Sequence, residues 1–488
     1  MKVVRPIIAV LFAALIVMLL FGCEVGPKYS RATAPTTPAF KEAPPQSFTE
    51  AGNWKTAQPD DQTLRGKWWE VFGDPELNDL EEQLTISNQN LKVAETRLRE
   101  ARAAVRFNRA AQFPTISVGP SIQSVHASAN RPYIQTTGNT GDFILPVDLS
   151  YEVDLWGRIR RTVAAAREEA QATAADYATA GLSLHAELAI DYFEIRSADA
   201  QKQLLDQTVK AYSDALELTT NRFKGGVAPK SDVAQAKTQL ETTQVQDTDV
   251  TVARAQFEHA IAILIGKPPA ELNLAAAPLD RLPPTIPGLL PSQLLERRPD
   301  IAAAERRMAE ANQQIGIARA AYFPTLSLGA TAGFEGTSLL NWLNWPSRLW
   351  AVGPQMSETL YDGGRRRANS ETAIAGYDGA IATYRQTTLT AFQEVEDNLA
   401  ALRILDSEAQ QQQEATSSAQ ESLQLFTNRY KGGVDTYLQV ITAQTIALQN
   451  ERNEVDILRR RMDASVLLIK AVGGGWSTAE LPKEASLR

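Results

Sequence analysis

An eight-residue stretch that occurs twice constrains the fold of this chain more than any other feature. Residues 220–227 and 427–434 agree at seven of eight positions and lie 207 residues apart in a chain of 488. Each overlaps the end of a run of 67 residues without proline, at 158–224 and 365–431. A helix of that length spans about 100 Å and needs partners along its course. The sequence therefore predicts two copies of one helical unit of about 200 residues rather than several independent domains.

The repeated Gly-Gly pairs predict that each copy is the tip of a helical hairpin. Glycine adopts the left-handed geometry that closes a helix, and the preceding Arg and Lys suit the negative end of the helix dipole. A returning helix is expected to start at once in the first copy, at Pro229 with Ser231 or Asp232. In the second copy it is expected to start at Asp435 or Thr436, where Gln439 completes the spacing of a capping box. A single Gly-Gly is usually only a turn, whereas two matching tips favour a docking surface.

The N-terminus is typical of a bacterial lipoprotein signal. Lys2 and Arg5 precede an apolar run at 7–21 that is too short for a comfortable membrane span. The run leads to Cys23, the only cysteine in the chain, which predicts cleavage after residue 22 and acylation of Cys23, with palmitate among the acyl groups. Glu24 follows, rather than the aspartate that commonly retains such lipoproteins in the inner membrane. One cysteine also excludes an intramolecular disulfide.

Four segments have the pattern of β-strands, at residues 115–125, 143–155, 326–334 and 350–361. In the second segment, apolar residues alternate with Asp148, Glu152, Asp154 and other polar residues. This alternation is typical of a membrane barrel, although a half-buried hairpin of a soluble sheet would show it too. Open strand edges are too costly in lipid, and single-chain barrels begin at about eight strands. Several chains are therefore expected to share one barrel.

The remaining features divide the chain into six parts. They are a signal peptide, a lipid-anchored extended segment, a first repeat of a helix, two strands and a long helical hairpin, a Pro-rich linker, a second repeat and a tail, at residues 1–22, 23–76, 77–266, 267–298, 299–475 and 476–488. Within the first repeat, residues 77–112 are expected to form one uninterrupted helix. Residues 90–119 and 300–329 align without a gap and share 13 of 30 positions, which supports the internal repeat.

Composition and motifs argue against nucleic-acid binding and catalysis. The formal net charge is −8, and no basic patch is visible. His126, His185 and His259 are far apart and lack the spacing of a metal site. No Gly-rich phosphate loop and no Gly-x-Ser-x-Gly turn is present. We therefore expect no catalytic residues, no metal and no cofactor.

Several motifs together resemble the outer-membrane factors of tripartite efflux systems. They are Cys23 with Gly-Pro-Lys-Tyr at 26–29, Trp-Trp at 68–69 with Gly-Asp-Pro at 73–75, Asp-Leu-Trp-Gly-Arg at 154–158, Leu-Glu-Arg-Arg-Pro-Asp at 295–300, and the two Arg-(Phe/Tyr)-Lys-Gly-Gly-Val tips. The chain is most similar to the NodT-type lipoprotein branch, related to TolC and OprM. The resemblance covers essentially everything past Cys23.

This resemblance implies a mainly α-helical protein with membrane β-structure. Three chains would form a homotrimer with a twelve-stranded barrel in the Gram-negative outer membrane and a twelve-helix tunnel in the periplasm. The trimer would act as a passive exit duct for small molecules such as drugs. A periplasmic adaptor protein and an inner-membrane transporter, of the RND type, would be its partners. A lipoprotein coiled-coil scaffold without a pore is the alternative.

The resemblance also assigns candidate site residues. The adaptor would dock on the tips, at Arg222, Phe223, Lys224, Gly225, Gly226, Val227, Arg429, Tyr430, Lys431, Gly432, Gly433 and Val434, where the basic side chains are expected to stand at the rim of the tunnel. Asp232 and Asp435 are candidates for a periplasmic gate, because three copies of either would form a negative ring. Ordinary N-capping is the alternative for both. The sequence does not identify the exported compounds or the pump.

Overall fold

The computed structural model describes residues 24–42, 66–126, 139–286, 294–483 and 486, so the predicted signal peptide and Cys23 lie outside the described residues. Seven long helices and five strands organise the described residues. The helices are α1 (Pro75–Ser87), α2 (Gln89–Ala110), α3 (Arg158–Lys224), α4 (Lys230–Leu264), α5 (Pro299–Ala320), α6 (Arg365–Lys431) and α7 (Tyr437–Ala471). The strands are β1 (Thr115–Val118), β2 (Ser121–His126), β3 (Asn139–Val153), β4 (Thr325–Gly336) and β5 (Arg348–Ser357).

The two longest helices, α3 and α6, match the proline-free runs of the sequence. Helices α3 and α6 each contain 67 residues, and the returning helices α4 and α7 each contain 35. Each long helix begins after a glycine in the left-handed conformation, Gly157 or Gly364. The two hairpins therefore have the same lengths in both repeats, and the prediction from the proline-free runs is confirmed.

The prediction of one helix over 77–112 is wrong, because the helix is interrupted at Asn88. This residue has an extended backbone that ends α1. Its Oδ1 accepts a hydrogen bond from the Leu91 N–H at 2.8 Å and so caps α2. Its Nδ2 donates to the Leu264 carbonyl at 2.8 Å. The break therefore fixes α1 and α2 to the end of α4.

The strands form one antiparallel sheet, in which β3 pairs with β1 and β2 on one side and with β4 on the other, and β5 pairs with β4. The predicted strand at 115–125 is interrupted at Gly119 and Pro120, so it contributes two short strands along β3. On the polar face, the Thr331 hydroxyl donates to Asp148 Oδ1 at 2.6 Å across β4 and β3. Among the described residues, strand pairing ends at β1 and β2 on one side of the sheet and at β5 on the other.

The helices lie side by side in four columns. Next to the sheet the order of contacts is α2–α3–α5–α6, and beyond it the order is α4–α3–α7–α6. We call these two rows of helices the helical layers. The unpaired edge strands of the sheet and the outermost helices of both layers therefore lie on the same two sides, or flanks, of the molecule. One flank carries β1, β2, α2 and α4, and the other carries β5 and α6. Within the described residues, no helix is long and apolar enough to cross a membrane.

A second layer covers one face of the helices where the short helices meet end to end. Its core contains Trp68, Trp69 and Phe72 of a 3-10 turn, packed with Leu77 and Phe193. Asp74 caps α1 with Pro75 at its first position and accepts hydrogen bonds from two backbone N–H groups. The linker after α4 packs against the same cluster. We call this layer the outer layer.

Residues 24–42 form an extended strap that lies over the body of the molecule. The Val25 N–H donates to the Trp156 carbonyl at 3.1 Å, at the boundary of sheet and helices. Further along, Phe40 packs edge-on against Phe392 of α6. Near its end, the Lys41 N–H donates to Glu396 at 2.7 Å. The strap thus runs from the sheet along α6 towards the outer layer.

Candidate functional site

Both hairpin tips close with the same backbone geometry. In the first, the Val227 N–H donates to the Arg222 carbonyl at 2.9 Å and the Gly226 N–H donates to the Phe223 carbonyl at 2.9 Å. The second tip repeats both bonds at the equivalent positions, each at 3.0 Å. This is the Schellman arrangement, which needs a left-handed residue after the helix. Only the second glycine of each pair supplies it, with φ of +73° at Gly226 and +74° at Gly433.

The capping box predicted for the second tip is wrong. Thr436 does occupy the N-cap of α7 with an extended backbone, but its hydroxyl makes no capping bond to the described residues. The Gln439 N–H donates to the Thr436 carbonyl instead, at 3.2 Å. In the first tip, Pro229 is the N-cap of α4 and has no side-chain donor or acceptor to offer. Helix packing, rather than side-chain capping, therefore fixes the returning helices.

The glycine pairs allow a test in which the control lies next to the tested residue. Replacing Gly226 or Gly433 with alanine is expected to lower the free energy of unfolding by about 1–2 kcal/mol, since a Cβ disfavours the left-handed region. Gly225 and Gly432 have φ of −81° and −77°, so alanine there should be neutral or stabilising. Thermal denaturation followed by circular dichroism measures the difference. Equal losses at both glycines would contradict the assignment.

The two tips contact each other through Arg222. Its guanidinium lies over the Tyr430 ring, 4.7 Å from the ring centre, and its Nη1 donates to the Lys431 carbonyl at 3.1 Å. Tyr430 packs in turn on Tyr437 of α7, with ring centres 5.1 Å apart. Ala236 of α4 is buried in the same cluster. Arg222 therefore contacts the second tip, and its part in adaptor docking stays a prediction.

The equivalent aromatic residues of the two tips have different environments. Phe223 is 41% exposed, whereas Tyr430 is only 4% exposed beneath Arg222. Burial raises the pKa of the neighbouring Tyr437 to about 12, with Tyr430 contributing, so its hydroxyl stays protonated at neutral pH. The exposed part of the tips consists of Lys224, Lys431, Arg429, Val227, Val434 and Phe223, together with the four glycines. Sequence reasoning missed the supporting residues Tyr437, Ala236 and Val440.

The two candidate gate residues lie in different environments. Asp435 forms an ion pair with Arg429 of the same tip, and its side chain is 19% exposed. Asp232 lies half-buried in the first turn of α4 and faces Tyr437 closely enough to affect the pKa of that residue. The tip therefore holds Asp435 in a local ion pair, whereas Asp232 lies near the buried aromatic cluster.

The Leu-Glu-Arg-Arg-Pro-Asp motif forms a buried connection far from the tips. Arg298 precedes α5 and is 7% exposed. Its guanidinium donates to Asp300 at 2.6 and 3.0 Å, to Glu394 of α6 at 2.6 Å, and to the Ala471 carbonyl at the end of α7 at 2.9 Å. One arginine therefore joins three helices of the second repeat.

The sequence and the fold were compared with those of known proteins. The family profile described as "Outer membrane efflux protein" matches residues 80–267 and 290–474. The chain is 32% identical over 458 residues to the toluene efflux pump outer membrane protein TtgF of Pseudomonas putida, covering 94% of this chain and 95% of that protein. Among solved structures, it resembles the outer-membrane channel OprN with a TM-score of 0.84 and 29% identity, over 93% of this chain and 100% of that one.

A second solved structure supports the same assignment. The open state of the MtrE outer membrane channel of Neisseria gonorrhoeae has a TM-score of 0.80 and 26% identity, over 93% of this chain and 99% of that one. Both halves of the family profile coincide with the two repeats seen in the helices and strands. The chain therefore belongs to the outer membrane efflux protein family and has the fold of an outer-membrane efflux channel.

Proposed function

We propose that three copies of this chain close into one conduit that crosses the outer membrane and the periplasm. The observation that carries the proposal is the position of the free edges. The sheet and both helical layers end on the same two flanks. One flank of each copy can therefore pair with the opposite flank of the next at every level. This head-to-tail contact gives a closed ring, which removes the exposed strand edges that lipid does not tolerate.

The number of copies follows from the number of strands. Each chain contributes four strand columns, because β1 and β2 follow each other along β3. Two chains would give about eight columns, a size whose interior side chains fill, whereas three give about twelve and leave a lumen. Three chains also give twelve helical columns. The outer layer would then lie outside the ring, since three such layers would fill the lumen.

The trimer would receive its cargo through periplasmic partners. We propose that a periplasmic adaptor protein binds the tips and connects them to an inner-membrane transporter of the RND type. Relatives are named for toluene, solvent and antibiotic efflux, which supports small apolar compounds and drugs as the cargo. The chain itself would carry out no catalysis, because a passive duct needs only a wide, water-filled path.

The proposed gate is a ring of carboxylates near the tips. Three copies of Asp232 would attract cations and repel anions at the constriction. Asp435 would contribute less, because Arg429 neutralises it within each chain. The tips and the gate would then be neighbouring parts of one periplasmic end.

Planar-bilayer recording tests the conduit directly. The purified protein in mild detergent is expected to behave as a trimer and to give discrete, ion-conducting steps when added to a bilayer. A scaffold without a pore would bind membranes and give no steps. A monomer that retains its full strand content by circular dichroism would contradict the shared barrel.

The lipid anchor gives a separate prediction. We propose that Cys23 is acylated after removal of residues 1–22. Cys23→Ser is expected to abolish acylation while leaving the conductance of inserted channels unchanged, because the strands do not need the lipid. Mass spectrometry of the mature wild-type chain measures the modification. An unmodified Cys23 in that chain would show that the anchor does not exist.

A further inference from the structure

A cluster of charged side chains lies where the two hairpins meet in the middle of the molecule. Arg459 of α7 donates to Glu194 of α3 at 2.6 Å. It also donates to Asp456 at 2.9 Å and to Asp463 at 2.8 Å on its own helix. One guanidinium is thus shared by three carboxylates. Of the bonds that Arg459 makes, the one to Glu194 joins the first hairpin to the second. We call the region of contact between α3 and α7 around Arg459 and Glu194 the α3–α7 seam.

Two more carboxylates extend the cluster along α3. Asp191 lies half-buried close to Glu194, and Glu187 lies one turn before Asp191. Of the described residues, those that act electrostatically on Asp191 are Glu187 and Glu194. The seam therefore holds more carboxylates than its single guanidinium can neutralise.

The environment of Asp463 points in the same direction. Its Oδ1 is buried and has no hydrogen-bond partner among the described residues, although its Oδ2 accepts from Arg459. The charged groups that act on it are Arg459, Glu194 and Asp456. An ionised carboxylate with one buried, unpartnered oxygen is costly, whereas a carboxylic acid can carry a proton there.

Burial is the main cause of unusual proton affinity at both positions. It raises the pKa of Asp191 to about 7, and the charges of Glu187 and Glu194 add to the shift. Burial likewise raises the pKa of Asp463 to about 7, where Glu194 and Asp456 raise it further and Arg459 lowers it. Asp191 on α3 and Asp463 on α7 therefore lose their protons over the same range of pH.

The seam is turned away from the outer layer. On the opposite face of α3, the Tyr192 hydroxyl donates to Asp74 at 2.8 Å and Arg196 donates to the Ala275 carbonyl at 2.7 Å, both in the outer layer. With 3.6 residues per turn, Glu187, Asp191 and Glu194 lie on the other side of the helix. In the proposed trimer this side would line the lumen, so water and protons could reach the cluster.

We propose that the α3–α7 seam is a proton-operated contact, in which uptake of protons by Asp191 and Asp463 tightens the packing of the second hairpin against the first. Loss of those protons leaves additional negative charge beside Glu194 and loosens the contact. The seam itself is a property of one chain. Only its consequence for the width of the conduit rests on the proposed function.

The direction of the pH effect follows from linkage. In a loosened seam both carboxyls face water and regain an ordinary pKa of about 4. The tight seam binds protons more strongly than the loosened seam. Its stability relative to the loosened form is therefore greatest below pH 4 and falls as the pH rises towards 7. Above about pH 7 both forms are ionised, and the equilibrium no longer changes. Each carboxyl can contribute up to about tenfold per pH unit within that window.

Spin-label distance measurements on the purified full-length chain test the proposal. Gln203 and Asn453 are exposed on α3 and α7, both on the tip side of the cluster. Labels on cysteines at these two positions, with Cys23 replaced by serine and the labelled chain diluted with unlabelled chain, report the separation of the hairpins. Between pH 5 and pH 7 we expect the long-distance fraction to rise at least twofold, with little further change up to pH 8.

Neutral substitutions separate the proposal from a general effect of pH. Asp191→Asn with Asp463→Asn mimics the protonated state and is expected to hold the short distance at every pH. Asp206→Asn, on the exposed surface of α3, is the matched control and should retain the wild-type pH dependence. A wild-type distance that is constant from pH 5 to pH 7 would overturn the proposal. So would a double variant with the wild-type pH dependence.

Discussion

Arg298→Ala is expected to lower the free energy of unfolding by about 2–4 kcal/mol. Removing one partner of a fully buried ion pair typically costs about 3–5 kcal/mol, because the remaining charge stays buried and unpaired. Here the side chains of Asp300 and Glu394 are 28% and 43% exposed, so water compensates part of the loss. The Ala471 carbonyl loses its side-chain donor as well. The second repeat should therefore unfold at a clearly lower temperature in detergent, as measured by circular dichroism.

Two further variants separate the role of the fork-shaped guanidinium from that of its charge. Arg298→Lys keeps the charge but cannot bind Asp300, Glu394 and the carbonyl together, so it should restore only part of the stability. Arg460→Ala removes an arginine of α7 whose side chain is 45% exposed, and should cost less than about 1 kcal/mol. If Arg298→Ala and Arg460→Ala had equal effects, the buried connection would not contribute as the geometry indicates.

Lys224→Glu together with Lys431→Glu is expected to abolish productive adaptor docking. Both lysines are exposed at the tips, and each chain would change by four charge units. Reversing charge on a contact surface places like charges against the partner and slows association. We expect the amount of adaptor crosslinked in cells to fall at least about tenfold, with export lost in parallel. Folding and trimer formation should be unchanged, because exposed charges contribute little to stability.

The choice of lysines rather than arginines follows from the contacts in the tips. Arg222 and Arg429 are engaged with Tyr430 and Asp435, so reversing their charge would disturb the tips as well as any partner. Lys92→Glu with Lys210→Glu provides a control with the same charge change on exposed positions away from the tips. Unchanged crosslinking in the Lys224 and Lys431 double reversal would exclude these lysines from the docking surface.

The features of the fold that the sequence predicted are those set by local rules. Absence of proline sets the lengths of α3 and α6, and glycine pairs set the hairpin tips, because backbone sterics act at the residue itself. The identity of the repeats could be recognised from identical residues. The break at Asn88 was missed because asparagine is tolerated within helices, and its decisive bond to Leu264 joins residues far apart in the sequence.

The candidate site was predictable in position but not in its internal contacts. Two nearly identical segments suggested two equivalent tips. Within the described residues of one chain the tips are unequal, since Arg222 of the first covers Tyr430 of the second, while Phe223 is 41% exposed. Such an asymmetry depends on how two hairpins pack, which identical local sequences cannot encode. The seam around Arg459 was missed for the same reason, because its carboxylates come from helices more than 250 residues apart in the chain.

The strap determines how much freedom a lipid on Cys23 would have. Val25 is already bonded to Trp156 at the boundary of sheet and helices, so only Glu24 lies between Cys23 and the folded body, a span of about 7 Å of extended chain. Such a short connection cannot act as a flexible tether that lets the folded body move away from the membrane surface before insertion. It would instead fix the depth of the barrel. The acyl chains would enter the periplasmic leaflet beside the turn between β3 and α3 of each subunit, at three points around the circumference. There they would oppose movement of the barrel along the membrane normal when a pump pulls on the periplasmic end.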